Sequence, residues 1–184
     1  ALKRIDAKFD STYTHQLPPG YGDEIKGIAA ATGLDTSVIF VYNMFYTVFG
    51  ACTSIVAEDQ HGGKFHARNL DFGLWPALNI SHGNVWELTS RLRPLVINVD
   101  LQRNNKTLYK STTFNGFIGV HTALKPGIFS ATIDTRFDTG FDVGLLEWIL
   151  LGRLDKASEI TMALRQMFES SSSYEAGLAT LNQT

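Results

Sequence analysis

The chain has 184 residues, 44% of them hydrophobic and 18% charged, with a formal net charge of −2 at neutral pH. That apolar content suits one globular unit with a buried core and excludes compositional disorder. The near-neutral balance has no basic run or aromatic-interleaved basic patch, which excludes nucleic acid as a partner.

Taken in chain order, a polar N-terminal arm runs to Pro18-Pro19-Gly20, and a helical hairpin follows. Its first helix is expected near Asp23 to Thr32, stopped by Gly33, and Asp35 or Thr36 caps the second. The apolar stretch from Val38 to Cys52 is broken by Asn43 and is shorter than the roughly 20 residues that span a bilayer, so it reads as a helix. Phe40, Phe45, Tyr46 and Phe49 give it aromatic bulk, most of it expected in the core, with a minority lining a lipid groove. From Cys52 the pattern alternates as a strand, with Ile55 and Ala57 on one face and Ser54, Val56 and Glu58 on the other. Asp59-Gln60-His61-Gly62-Gly63 supplies turn chemistry, and a second strand from Lys64 folds back so that Arg68 to Asp71 return near Cys52. A turn-rich insert spans Trp75 to Gly83. Leu95 to Leu101, Thr107 to Thr113, Phe117 to Thr122 and Ile128 to Ile133 read as an antiparallel meander. Helices are expected at Val143 to Leu151, Lys156 to Glu169 and Tyr174 to Leu181, which makes the class α+β with helices covering sheet faces.

Cys52 is the single cysteine of the chain, at the junction of an apolar helix and a strand. A free cysteine is ordinarily a small buried apolar side chain. Its neighbours argue for more, because the hairpin brings one guanidinium and one carboxylate within reach of the thiol. The bland account of Arg68 and Asp71 is a cross-strand ion pair. His61 and His66 are split by Gly62-Gly63 and form no helical metal face; a papain-like Cys-His pairing is the weaker alternative. The sequence contains no H-E-x-x-H, C-x-x-C, P-loop or G-x-G-x-x-G pattern, so no metal and no cofactor is expected.

Cys52-Thr53-Ser54-Ile55-Val56-Ala57-Glu58-Asp59 followed by His66-Ala67-Arg68-Asn69-Leu70-Asp71-Phe72-Gly73 resembles the nucleophile segment of the acid ceramidase family. These are lysosomal N-terminal-nucleophile amidases, with the N-acylethanolamine acid amidases as the sister group. Leu17-Pro18-Pro19, Val99 to Thr107, Lys125 to Ser130 and Gly144 to Leu150 extend the likeness over about Leu17 to Asn182. The resemblance implies an αββα N-terminal-nucleophile hydrolase sandwich, with residues 1–51 as a propeptide-derived helical subunit. Residues 52–184 would be the N-terminal part of the nucleophile-hydrolase domain, apparently lacking its C-terminal region. It also implies self-cleavage between Ala51 and Cys52. The freed α-amine, with a reference pKa of roughly 8, can then act as base for the thiol. Arg68 would favour thiolate and orient the amide, and Asp71 would hold the terminal ammonium. The sequence departs from the family where Thr135 stands at the expected glutamate, leaving Asp134 as a possible acidic substitute. The oxyanion-stabilising donors of the family lie in the missing C-terminal region, and donors of that kind are worth several kcal/mol of barrier.

The implied activity is hydrolysis of ceramide to sphingosine and fatty acid. The alternatives are N-acylethanolamine hydrolysis, or a non-catalytic, truncated lipid-binding scaffold. Expected partners are the lipid amide, a membrane surface or lipid-presenting activator protein, the chain's own propeptide-derived subunit and the missing C-terminal region. Acceptor patterns at Asn79, Asn105 and Asn182 suggest glycosylation on a secretory route, hence a lysosomal or secreted protein. No signal peptide is seen at Ala1, so numbering is expected to begin after one. Protonating all five histidines would move the formal charge from −2 to +3, which favours anionic lipid surfaces in an acidic compartment.

Overall fold

A computed structural model describes residues 2–49, 51–71, 78–79, 85–134 and 159–183. The polar N-terminal arm is helical: α1 spans Leu2–Lys8, a π turn Phe9–Tyr13 and a 3-10 turn Thr14–Gln16. Ile5, Phe9 and Tyr13, four residues apart, share one helical face and are all buried. Phe9 and Tyr13 close on Phe40 at ring distances of 5.5 and 4.9 Å. α2 covers Tyr21–Thr32, bounded by Gly20 and Gly33, both left-handed. α3 covers Thr36–Phe49, and α1 anchors its start: Ser37 N and Oγ donate to Asp6 at 2.7 and 2.9 Å.

β1 (Ala51–Glu58) and β2 (Lys64–Asp71) form an antiparallel hairpin. Its turn is written locally: Asp59 Oδ1 accepts from His61 N and Gly63 N, both at 2.8 Å, while Gly62 takes a φ of 80°. β3 (Leu78–Asn79), the described part of the expected insert, pairs with β4 (Val85–Trp86) beyond it. A short helix not expected from sequence, α4 (Glu87–Leu92), runs through a 3-10 turn into β5 (Val96–Arg103). The meander then continues as β6 (Lys106–Phe114), β7 (Thr122–Lys125) and β8 (Phe129–Thr132), in sheet order β5-β6-β7-β8.

The strand expected at Phe117 to Thr122 is a loop up to His121. Non-strand partners take its backbone: Ile118 N donates to Asn43 Oδ1 at 2.7 Å, Ile118 O accepts from Arg165 at 3.0 Å, and Val120 N donates to Thr161 O at 2.9 Å. α5 (Ile160–Ser170) begins four residues later than expected, because Glu159 is its N-cap and accepts from Met162 N at 2.9 Å. α6 (Tyr174–Leu181) is capped by Ser173. The helix expected at Val143 to Leu151 and Thr135 lie outside the described residues.

The layers follow from sheet parity. Tyr109 and Ala123 on one face of the meander bury against Leu164, Met167 and Phe168 of α5. Thr122, Ser130 and Thr132 on the other meet the hairpin through Ser54, His66 and Arg68. Helices, four-stranded sheet and hairpin therefore stack as an α+β unit. No described helix is long and apolar enough to cross a membrane.

Candidate active site

The hairpin register sets the site. Cys52 pairs with Leu70 and Ser54 with Arg68, so alternation puts the thiol, the Ser54 hydroxyl and the Arg68 side chain on one face. Arg68 is 4% exposed at its side chain and reaches diagonally to Cys52: Nη2 donates to Sγ at 2.8 Å. Its remaining donors are held by the meander, Nε by Ile133 O at 2.9 Å and Nη1 by Thr122 Oγ1 at 3.2 Å. Two acceptors besides the sulfur hold the guanidinium plane, so its direction toward sulfur is set in advance. A fixed cation at this distance stabilises negative charge on an attacking sulfur.

Asp134 is 3.7 Å from Arg68 Nε and accepts from Ser54 Oγ at 2.9 Å, while Ser54 Oγ also meets Thr132 Oγ1 at 2.7 Å. The carboxylate proposed as an acidic substitute is thus at the Arg68 side of the site. Asp71 is placed differently. It pairs with Ala51, one residue before the thiol, and alternation turns its side chain to the opposite face of the hairpin, where both oxygens accept from Asn69 Nδ2 at 3.0 Å. It is beside the Ala51–Cys52 peptide and not at the sulfur. His66 shares the face of Ser54 but bonds Ser130 Oγ and Thr132 Oγ1, at 2.8 and 3.2 Å, which places it in the interlayer contact.

Behind Arg68 is a residue the sequence reading passed over. His121 is 1% exposed, stacked on Phe117 at 4.3 Å, with Phe114 edge-on at 6.0 Å. Burial, aided by the Arg68 charge, pulls its pKa down to about 3, so the ring is neutral in acid as well as at neutral pH. Thr122, the Nη1 acceptor, was missed too; nothing in its sequence neighbourhood marks it. Ser54 was read only as a strand position, although its place two residues from Cys52 on an alternating strand is the signal that marks it.

A cavity of about 490 Å³ opens beside the pair, walled by Arg68, Leu70, Leu92, Val96, Phe114 and His121. Cys52 packs against the same Leu92, Phe114 and Phe117 cluster. Phe40, one of the helix aromatics considered for a lipid groove, is fully buried against Phe9 and Tyr13 and belongs to the helical core. The side chains of Phe45, Tyr46 and Phe49 lie outside the described residues. Of the acceptor asparagines, Asn105 and Asn182 are exposed, Asn105 in the β5–β6 turn at a φ of 59°; the Asn79 side chain is not among those described. Among the described residues no cluster of three or more His, Cys, Asp or Glu could hold a metal ion.

Acid ceramidase of Mus musculus is 41% identical over 184 residues, covering 100% of this chain and 46% of its own length. Acid ceramidase of Bos taurus is 46% identical over 170 residues, covering 91% and 42%. A solved Caenorhabditis elegans N-acylethanolamine-hydrolyzing acid amidase (NAAA) ortholog matches with a TM-score of 0.52 at 25% identity, over 69% of this chain and 47% of that one. The chain thus spans less than half the length of these relatives. The profile of the linear amide C-N hydrolases, choloylglycine hydrolase family, matches residues 52–184, starting at the thiol residue itself. With that match over most of its length, the chain belongs to this family of linear amide C–N hydrolases.

Proposed function

We propose that this chain carries the nucleophile half of a lipid amidase that cleaves the amide of ceramide-like N-acyl sphingoid bases, with Cys52 as an N-terminal nucleophile. The observation that carries the reading is the 2.8 Å contact of Arg68 Nη2 with Cys52 Sγ, at the second residue of β1. Activation begins with the thiol attacking the Ala51 carbonyl. The acyl group passes from nitrogen to sulfur, and water hydrolyses the thioester to free the Ala51 carboxylate and the Cys52 amine. In turnover the amine takes the thiol proton and the sulfur adds to the substrate carbonyl. The sphingoid amine leaves with that proton, and water releases the fatty acid from the thioester. Arg68 stabilises charge on sulfur throughout, and Asp71, beside the new terminus, is the group to hold the ammonium. The exposed Asn105 and Asn182 fit a glycosylated lysosomal or secreted enzyme, and a neutral His121 fits work in acid.

Identities of 41% and 46% to acid ceramidases favour the sphingoid amide, while the structural likeness to the N-acylethanolamine-hydrolyzing enzyme keeps the ethanolamide as the second reading. The cavity beside Arg68, where Leu70, Leu92, Val96 and Phe114 stand among polar wall residues, supports a lipid in either case. Each buried methylene is worth about 0.8 kcal/mol, so kcat/KM should climb with acyl length until the cavity is filled. The test uses the processed full-length protein with ceramides and ethanolamides of two to eighteen carbons at acid pH. Faster turnover of long-chain ceramides, abolished in Cys52→Ala, is the expected result. Equal rates for acetyl and long acyl groups would remove the lipid assignment.

A further inference from the structure

Asn43 is a polar residue in the middle of α3 and is fully buried. Its amide is satisfied on both ends: Nδ2 donates to Ile39 O at 3.0 Å and Gly116 O at 3.1 Å, and Oδ1 accepts from Ile118 N at 2.7 Å. Two of these bonds cross 73 and 75 residues of sequence, from the segment before Cys52 to the loop before β7. The loop is clamped from its other side by Arg165 Nη1 on Ile118 O and by Thr161 O on Val120 N. Close packing leaves it no slack, since a Cβ on Gly119 would fall 2.1 Å from Thr161 Oγ1.

Phe117, held at the tip, stacks on His121 and joins the cluster that packs against Cys52. His121 O accepts from Ile133 N at 3.0 Å, Ile133 O accepts from Arg68 Nε, and Thr122, next along the chain, accepts from Arg68 Nη1. The contacts therefore run without a gap from the Asn43 amide to the sulfur. A leucine would fill the same space but would leave Ile118 N–H and Gly116 C=O without these partners. We propose that Asn43 is a positioning residue for the Cys52–Arg68 pair, fixing the 116–118 loop that buttresses them, so that the segment before the scissile bond remains part of the working site after cleavage. This rests on the N-terminal-nucleophile reading above.

The experiment uses the full-length protein with Asn43→Leu, Asn43→Asp and Tyr42→Phe, the last removing only the hydroxyl that donates to Asn115 O at 3.2 Å. Four quantities are read: kcat and KM on a long-chain ceramide, the pH profile of Cys52 alkylation by iodoacetamide, and the thermal midpoint. The expected result is a kcat at least about tenfold lower in Asn43→Leu with KM within about twofold, and a shifted alkylation profile. Asn43→Asp, which keeps the acceptor for Ile118 N–H, should lie between it and wild type, and Tyr42→Phe should move the profile slightly in the same direction. Wild-type kcat and alkylation in every variant that folds, with only the thermal midpoint lowered, would overturn the proposal; if neither Asn43 variant folds, an unmoved profile in Tyr42→Phe overturns it. Hydrolysis surviving in Cys52→Ala would instead defeat the nucleophile reading, while the alkylation profile would still judge the role of Asn43.

Discussion

Among the described residues two arginine side chains are nearly buried, and they are wired differently. Arg165, at 7% side-chain exposure, forks onto Glu24 at 2.6 and 2.7 Å, bonds Glu169 at 2.7 Å and lies over the Tyr21 ring at 4.3 Å. Burial alone would favour losing its proton, but the hydrogen bonds to Glu24 and Glu169 outweigh that and raise its pKa. Its charge is held by carboxylates, and it joins α2 to α5 while one donor also holds Ile118 O at 3.0 Å. Arg68, at 4%, bonds a carbonyl, a hydroxyl and a thiol, with Asp134 standing off at 3.7 Å. A cation anchored by neutral acceptors and aimed at sulfur keeps its field for the reacting atom. The difference between a structural and a functional guanidinium lies in what its donors reach.

Mutating the first arginine should give the largest change. Arg165→Ala strips two carboxylates of their partner. Breaking a buried pair on one side costs about 3–5 kcal/mol, and the 45% exposure of Glu24 places this case at the low end, about 3 kcal/mol. Urea unfolding should report it, with the loss in stability exceeding the loss in kcat; the reverse order would break the contrast.

His121, on the Arg68 side, should give a smaller effect that depends on pH. Its folded pKa, about 3, is below the ordinary histidine value of 6.5, so between those limits the unfolded chain binds the extra proton and stability falls as pH falls. At pH 5 the cost is roughly 2 kcal/mol. His121→Phe should flatten the difference in unfolding free energy between pH 7 and pH 5 by about that amount. An unchanged difference would mean the ring carries no acid penalty.

Arg68→Lys sharpens the comparison most finely, since it keeps the charge and loses the planar fork. One ammonium cannot serve Ile133 O, Thr122 Oγ1 and Sγ together from a fixed plane. The expected loss is about tenfold in kcat, about 1.4 kcal/mol of barrier, with a smaller drop in stability than Arg165→Ala gives. A full-rate lysine enzyme would show that charge alone is enough.

The hairpin was legible because its signals are local: alternation from Cys52 and an Asp-Gln-His-Gly-Gly turn fix a register that carries Arg68 back to the thiol. The meander was legible for the same reason, apart from residues 117–121, whose backbone is claimed by Asn43, Arg165 and Thr161 from remote helices. A polar residue inside an apolar helix pattern reads as an interruption, and only the tertiary partners show that Asn43 is a tether. The N-terminal arm hid its helix behind Lys, Arg and Asp, although Ile5, Phe9 and Tyr13 at intervals of four carried the signal. Asp71 was expected near Cys52, and parity turns it to the far face, beside the bond to be cut.

The central claim is that Cys52 becomes a chain terminus by its own chemistry, and intact-mass spectrometry of the full-length protein before and after incubation at acid pH tests it most directly. Wild type should convert into two fragments, the second beginning at Cys52, while Cys52→Ala stays whole under the same conditions. Equal cleavage of both proteins at Ala51–Cys52 would assign the cut to another protease, and a wild-type chain that remains uncut yet hydrolyses ceramide would contradict the account.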